Sequence, residues 1–199
     1  MVVERVLIVR HGETDYNVQR RWQGQLDVEL NATGKQQAEA LAETLLQSKI
    51  DAVYSSDLRR AADTASIIAA PHRLSVLHEP GLREINVGVF QGLNRQEIDE
   101  RYPYEMYRWN NDDHYVPQGG ESRFQLQERA FAAWNSIIQR EHRNVLLVSH
   151  GGTIRLLLRR VLPHMQIDGL RFANTSLTIL NYTQQSGWVA ERIADATHL

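Results

Sequence analysis

The chain of 199 residues contains no cysteine. Disulfide bridges, thiolate zinc sites and a cysteine nucleophile are therefore excluded together. Long apolar runs are also missing: no window approaches 18 uninterrupted apolar residues, so no transmembrane helix is predicted. The N-terminal stretch MVVERVLIVRHG carries an acidic residue and too short an apolar segment for a secretory signal. A soluble cytoplasmic protein is the expectation. There is no excess of positive charge either, with 22 Lys+Arg against 24 Asp+Glu and a formal net charge of −2. That balance argues against broad binding to nucleic acid, which needs a basic face, but leaves room for a small focused anion site. No GxxxxGK[ST], GxGxxG or HExxH motif occurs, so a nucleotide-phosphate loop and a helical zinc site are not expected, and neither metal nor cofactor is. Internal repeats, low-complexity tracts and linkers are absent, pointing to one domain spanning residues 1–199.

What is present is an ordinary globular composition, 42% apolar and 23% charged, sufficient for a sizeable core. Strands are predicted at 5–10 (RVLIVR), 51–55 (DAVYS), 74–78 and 144–149 (NVLLVS), with a C-terminal hairpin over 175–182 and 188–193. Helical spacing of apolar residues appears over 30–50, 58–69, 94–101, 122–140 and 153–162, the Tyr102–Pro103 step ending the third of these. Ser122 and Gln125 match a capping box. Strands alternating with helices predict an α/β fold, a three-layer α/β/α sandwich around a mostly parallel sheet.

Ligands of such sheets bind beyond the carboxyl ends of the strands. Three predicted strands end in chemically suggestive residues: Arg10–His11–Gly12, Ser55–Ser56, and His150–Gly151–Gly152. Glycine admits close approach of backbone amides to an anion. A helix starting after Gly152 would add its positive end. In SSDLRRAADTA, Arg59 and Arg60 occupy a first helical turn, where a cation is unfavourable unless an anion offsets the dipole. Neighbouring helical residues diverge by about 100°, so one of the two arginines is expected to face the site. Glu84 lies on a loop within LREINVGVFQG.

RHGET, the spacing to Asn17, SSDLRRAADTA, LRE with GVFQG, GGES and HGG, in that order, together resemble the histidine phosphatase superfamily, which contains the phosphoglycerate mutases and related phosphatases. The resemblance implies a phosphoglycerate mutase-like fold. It also implies that His11 is the nucleophile that becomes a phosphohistidine, and that Arg10, Arg60 and His150 hold the phosphoryl oxygens. Glu84 would donate and accept the proton, while Asn17, Gln23, Gly24 and Gly151 would line the substrate site. Arg60 is preferred to Arg59 because the family arginine directly precedes the alanine of RAxxTA, here Ala61 and Thr64. The chemistry is coherent by itself. Imidazole with a free pKa of ~6.5 is substantially unprotonated near neutrality, arginine forks match phosphate oxygens, and phosphoryl transfer depends mainly on positioning and charge stabilisation. No metal is required.

Within this family a mutase needs a second anion pocket. The stretch 93–117, expected to form a lid over the site, carries Arg95, Arg101 and Arg108 against six acidic residues. That favours a phosphatase acting on a small phosphate ester. The blocks RHGETDYN, QGQLDVEL and SSDLRRAADTA are similar to those of glucosyl-3-phosphoglycerate and α-ribazole phosphatases, and a sugar phosphate substrate is compatible. Mutase-type transfer and a non-catalytic phosphate-binding protein on this fold are the alternatives. Tyr102, Tyr104, Tyr107, Trp109 and Tyr115 suit either stacking on a substrate ring or a small core beneath the lid. The segment 162–199 leaves a homodimer open.

Overall fold

A computed structural model describes residues 3–199. Its six-stranded sheet has the order β3-β2-β4-β1-β5-β6, with β1 Arg5–Arg10, β2 Ala52–Ser55, β3 Val76–His78, β4 Asn144–Ser149, β5 Leu177–Thr183 and β6 Gly187–Asp195. The first four strands run parallel, and the C-terminal hairpin adds two antiparallel ones. Parallel strands buried on both faces read as continuous apolar runs. RVLIVR and NVLLVS show this, and their alternate residues feed two separate cores. Val6, Ile8, Val145 and Leu147 pack with Trp134 and Ile137 of α6 (Arg123–Ile137) and Leu157 and Leu158 of α7 (Gly151–Val161). Leu7, Val9, Leu146 and Val148 pack with Leu41 and Leu45 of α2 (Ala32–Leu45) and Ala61, Ala65 and Ile68 of α3 (Arg59–Ala69). The expected three-layer sandwich is what forms.

A third, smaller core holds Ile85, Val87, Phe90, Ile98, Met106, Trp109, Leu126 and Leu156. It anchors α4 (Arg95–Arg101) and α5 (Pro103–Asn111) to the body. The Tyr102–Pro103 step does end α4, as expected, but the sequence reading has no second helix after it. Proline instead occupies the first position of a new helix, where its missing N–H is no loss. A short helix α1 (Asp15–Val18), closed by a capping box between Thr14 and Asn17, was also not anticipated. Helix α2 ends at Leu45 rather than 50, since after the half-exposed Leu46 the chain turns polar through Gln47, Ser48 and Lys49. Among the described residues no helix is long and apolar enough to cross a membrane.

Candidate active site

Sheet register brings the two histidines together. Strands β1 and β4 are hydrogen-bonded neighbours with Arg10 opposite Ser149, and the His11 N–H donates to the Ser149 carbonyl at 3.0 Å. The next residue of each strand is a histidine, and their ring centroids lie 5.1 Å apart, close to the ordinary spacing of paired strands. Both rings are buried, at 3% exposure for His11 and 0% for His150. His11 Nδ1 lies 2.7 Å from the Gly12 carbonyl oxygen. A carbonyl only accepts, so Nδ1 carries the proton and Nε2 keeps its lone pair. Gly12 is itself held by donation of its N–H to Thr64 Oγ1.

The arginines complete a cationic floor. Arg60 is fully buried and donates to the carbonyls of Leu26 at 2.7 Å and Gly24 at 2.8 Å. Arg59, one residue away, is exposed and pairs with Glu29, and its N–H is capped by Asp27 Oδ1 at 2.8 Å. The anion offsetting Arg59 is thus protein carboxylate. Arg10 donates from Nη1 to the Phe172 carbonyl at 2.7 Å. Among the described residues six buried polar side-chain atoms have no protein partner, and four of them belong to this site: Arg10 Nε, Arg60 Nε, His150 Nδ1 and Gln23 Oε1. Buried polar groups are normally satisfied, so their clustering around one imidazole marks a place built for a polar ligand.

Electrostatics follow from this burial. The pKa of His11 is held well below its ordinary value, first by desolvation and then by the charges of Arg60 and Arg10. His150 is lowered in the same way, with Arg60 the leading charge after burial. For both rings burial is the larger cause and arginine repulsion the smaller. Desolvation brings Arg60 down to about 10, still fully protonated at neutral pH. The floor therefore combines two neutral imidazoles with two guanidinium charges.

Glu84 is placed by the start of α7. This helix begins at Gly151, with His150 as its N-cap, two residues earlier than the sequence suggested. Its first amides do not point freely into the cavity. Gly152 N–H donates to Glu84 Oε2 and Thr153 N–H to Oε1, both at 3.1 Å, while the Thr153 hydroxyl, also 3.1 Å from Oε1, donates its single proton to the Arg83 carbonyl at 2.9 Å. Ile85 N–H adds a third donor, to Oε1 at 2.9 Å. The positive helix end thus holds the Glu84 carboxylate. A Cβ on Gly152 would come within 2.6 Å of Glu84 Oε1 and push that carboxylate from its place.

A cavity of about 280 Å³ opens above this floor, lined among others by Arg10, His11, Arg60, Glu84, Trp22 and Trp109. A profile of the histidine phosphatase superfamily (branch 1) matches residues 6–196. The chain belongs to that superfamily. It is similar to the phosphoglycerate mutase-like protein 4 of Arabidopsis thaliana, at 40% identity over 98% of this chain and 86% of the relative. It is also similar to glucosyl-3-phosphoglycerate phosphatase of Mycobacterium tuberculosis, at 40% identity over 79% of this chain and 74% of that one. A solved structure of the mycobacterial glucosyl-3-phosphoglycerate phosphatase complexed with VO3 aligns with TM-score 0.84 and 35% identity, covering 96% of this chain and 98% of the other.

Of the residues expected in this histidine phosphatase's site, His11, Arg10, Arg60, Glu84, Asn17, Gln23 and Gly24 line the cavity. His150 lies beside the His11 ring. Gly151 does not line the cavity, and a Cβ there would make only ordinary contact with Arg10, 3.5 Å from its Nε. Asn17 Oδ1 is already committed to Thr14 N–H at 3.1 Å and Asn174 Nδ2 at 3.2 Å. The GGES loop braces the site from behind: Glu121 N–H donates to the Asn86 carbonyl, and Glu121 pairs with Arg129 at 2.6 Å.

Sequence reasoning missed several supporting residues. Arg129 donates to the carbonyls of Gly81, Arg83 and Glu84, holding the Glu84 loop. Asn174 donates to the His11 carbonyl. Trp22, Arg21, Ile85 and Val87 line the cavity beside Trp109. Motif spacing carries no trace of Arg129 or Asn174, since their contacts span 45 and 163 positions of chain. Among the five rings of the 93–117 stretch, only Trp109 reaches the cavity. Tyr102 and Tyr115 pack against the small core, while Tyr104 and Tyr107 are 65% and 64% exposed. Among the described residues no group of histidine, aspartate and glutamate is arranged to hold a metal ion.

Proposed function

We propose that this chain hydrolyses phosphate monoesters through a phosphohistidine on His11 Nε2. The observation that carries this reading is the buried imidazole with a fixed Nδ1–H, ringed by unpartnered Arg10 Nε, Arg60 Nε and His150 Nδ1. The Nε2 lone pair attacks phosphorus and the ester P–O bond breaks. Arg10, Arg60 and His150 stabilise the charge on the three transferring oxygens. Glu84 gives a proton to the leaving oxygen; its Oε2, with one amide donor against two for Oε1, has the spare capacity for that proton. Water then attacks the phosphohistidine, Glu84 takes up its proton, and the P–N bond breaks to release phosphate. The Gly12 carbonyl steadies the positive charge that the phosphorylated ring carries.

The leaving-group side favours a small, uncharged, ring-faced alcohol such as a sugar. Trp22, Trp109, Ile85 and Val87 supply apolar walls. The one further arginine there, Arg21, is taken by Glu97 at 2.7 Å and the Gly92 carbonyl. Residues 93–117 form the lid over this end, a role supported by Trp109 reaching both the cavity and the third core. The match over residues 6–196 supports a single histidine phosphatase domain. The name of the phosphoglycerate mutase-like relative keeps transfer between phosphoglycerates as the second reading.

Mixing enzyme with ³²P-labelled substrate and quenching in alkali should trap label on His11, since phosphohistidine survives base and is lost in acid. His11→Ala should trap none and lose p-nitrophenyl phosphate hydrolysis in EDTA by at least ~10⁴-fold. Full activity in that variant would overturn the assignment. Label passing to an added phosphoglycerate rather than to water would select the mutase reading.

A further inference from the structure

Strand β2 lies beside β4 with Ser55 opposite Val148, so the residue after it, Ser56, comes level with the end of β4. Ser56 is fully buried, and its Oγ lies 2.9 Å from His150 Nε2. The Leu58 N–H donates to the same Oγ at 3.3 Å, and among the described residues this hydroxyl has no other hydrogen-bond partner.

Two arrangements of protons fit these distances, and they differ in what they leave unpaired. If His150 carried its proton on Nε2, Ser56 would accept twice and its own buried O–H would have no acceptor. His150 Nδ1, already without a protein partner, would then present a bare lone pair. If Ser56 donates to Nε2, its hydroxyl is satisfied in both directions and the His150 proton resides on Nδ1. Leaving a buried hydroxyl unmatched is the more unfavourable choice. His11 meets a carbonyl, which fixes its tautomer alone; His150 meets a hydroxyl, whose direction is set by the Leu58 amide.

We propose that Ser56 is a positioning residue that fixes His150 as the neutral Nδ1–H tautomer, turning that imidazole into a hydrogen-bond donor for an oxyanion. The inference rests on the phosphohistidine reading for its purpose, but not for its existence. Donation from a neutral ring supports the transferring oxygens without placing a third cation beside the nucleophile. The α3 turn thereby acts on the site twice, through Arg60 directly and through Leu58, Ser56 and His150 in series.

The test reads the tautomer directly in the folded, ligand-free chain by ¹⁵N NMR of the histidine side chains. His150 should show a protonated Nδ1 and an unprotonated Nε2 at neutral pH. A protonated Nε2 in the wild-type protein overturns the proposal, even if phosphoenzyme still forms. Ser56→Ala should lose the single fixed tautomer, lower kcat for p-nitrophenyl phosphate and weaken inhibition by orthovanadate, each about tenfold, the size of one buried hydrogen bond. Ser56→Thr, which keeps the hydroxyl, should recover the NMR signature. An Ala variant with unchanged His150 signals would show that Ser56 only packs. If Ser56→Ala does not fold, the wild-type spectrum alone decides. Absence of trapped phosphoenzyme with the expected tautomer present would instead count against the catalytic reading alone.

Discussion

The two ends of the cavity are built in opposite ways. At the phosphoryl end His11, Arg60 and His150 are buried to 3% exposure or less, and each follows or packs on a sheet strand whose register leaves no freedom. At the leaving-group end, α4 and α5 bury only Ile98, Met106 and Trp109. Elsewhere they rely on surface pairs such as Arg95–Asp99 and Arg108–Asp112, contacts worth little in water. Such thinly anchored segments open at lower free energy than the strands beneath. The contrast teaches that the proposed transfer chemistry is tied to the global fold, whereas the proposed selectivity rests on an attachment that can change without disturbing it.

The strongest way to sharpen this division is Glu84→Gln. It should reduce kcat by ~10²–10⁴ while leaving competitive inhibition by inorganic phosphate nearly unchanged. A matching loss of phosphate affinity would show that Glu84 grips rather than shuttles protons. Trp109→Ala removes a buried anchor of α5 and should lower unfolding free energy by about 3–5 kcal/mol, measured by urea titration. KM for a sugar phosphate should rise more than kcat falls. An equal fall of both for every substrate would erase the distinction between the two ends.

The two buried histidines predict a pH effect specific to the floor. Their folded pKa values lie below 6.5, so below pH 6.5 the unfolded chain binds protons that the folded chain refuses. Stability from this source is complete above pH 6.5 and declines as pH falls beneath it, at about 1.4 kcal/mol per unit for each ring. The decline should be shallower in His11→Ala, compared by urea melts at pH 7 and pH 5.5. At the other extreme, Tyr104→Ser and Tyr107→Ser alter only exposed rings. They should change stability by no more than about 0.5 kcal/mol and leave kcat/KM for p-nitrophenyl phosphate intact. A large drop would place those rings in substrate binding.

Legibility followed the range of the forces involved. RVLIVR and NVLLVS announced buried strands because apolar character is a local property, and capping at Ser122 was visible for the same reason. The short helices around Pro103 and Asp15 escaped because a proline or a four-residue turn serves equally as stop or start. The direction of the α7 amides was misread because the helix start came two residues earlier and Glu84, 68 positions away, claimed them.

Composition and motif order determined by themselves that this chain is an α/β protein with histidine, arginine and glutamate at its strand ends, since side-chain type and short-range periodicity need no folding to be read. Which of those groups are neutral, which hydrogens they hold and what braces them were decided only when register and packing removed water. Desolvation and tautomer choice depend on neighbours dozens of residues distant, and no local pattern records who those neighbours are.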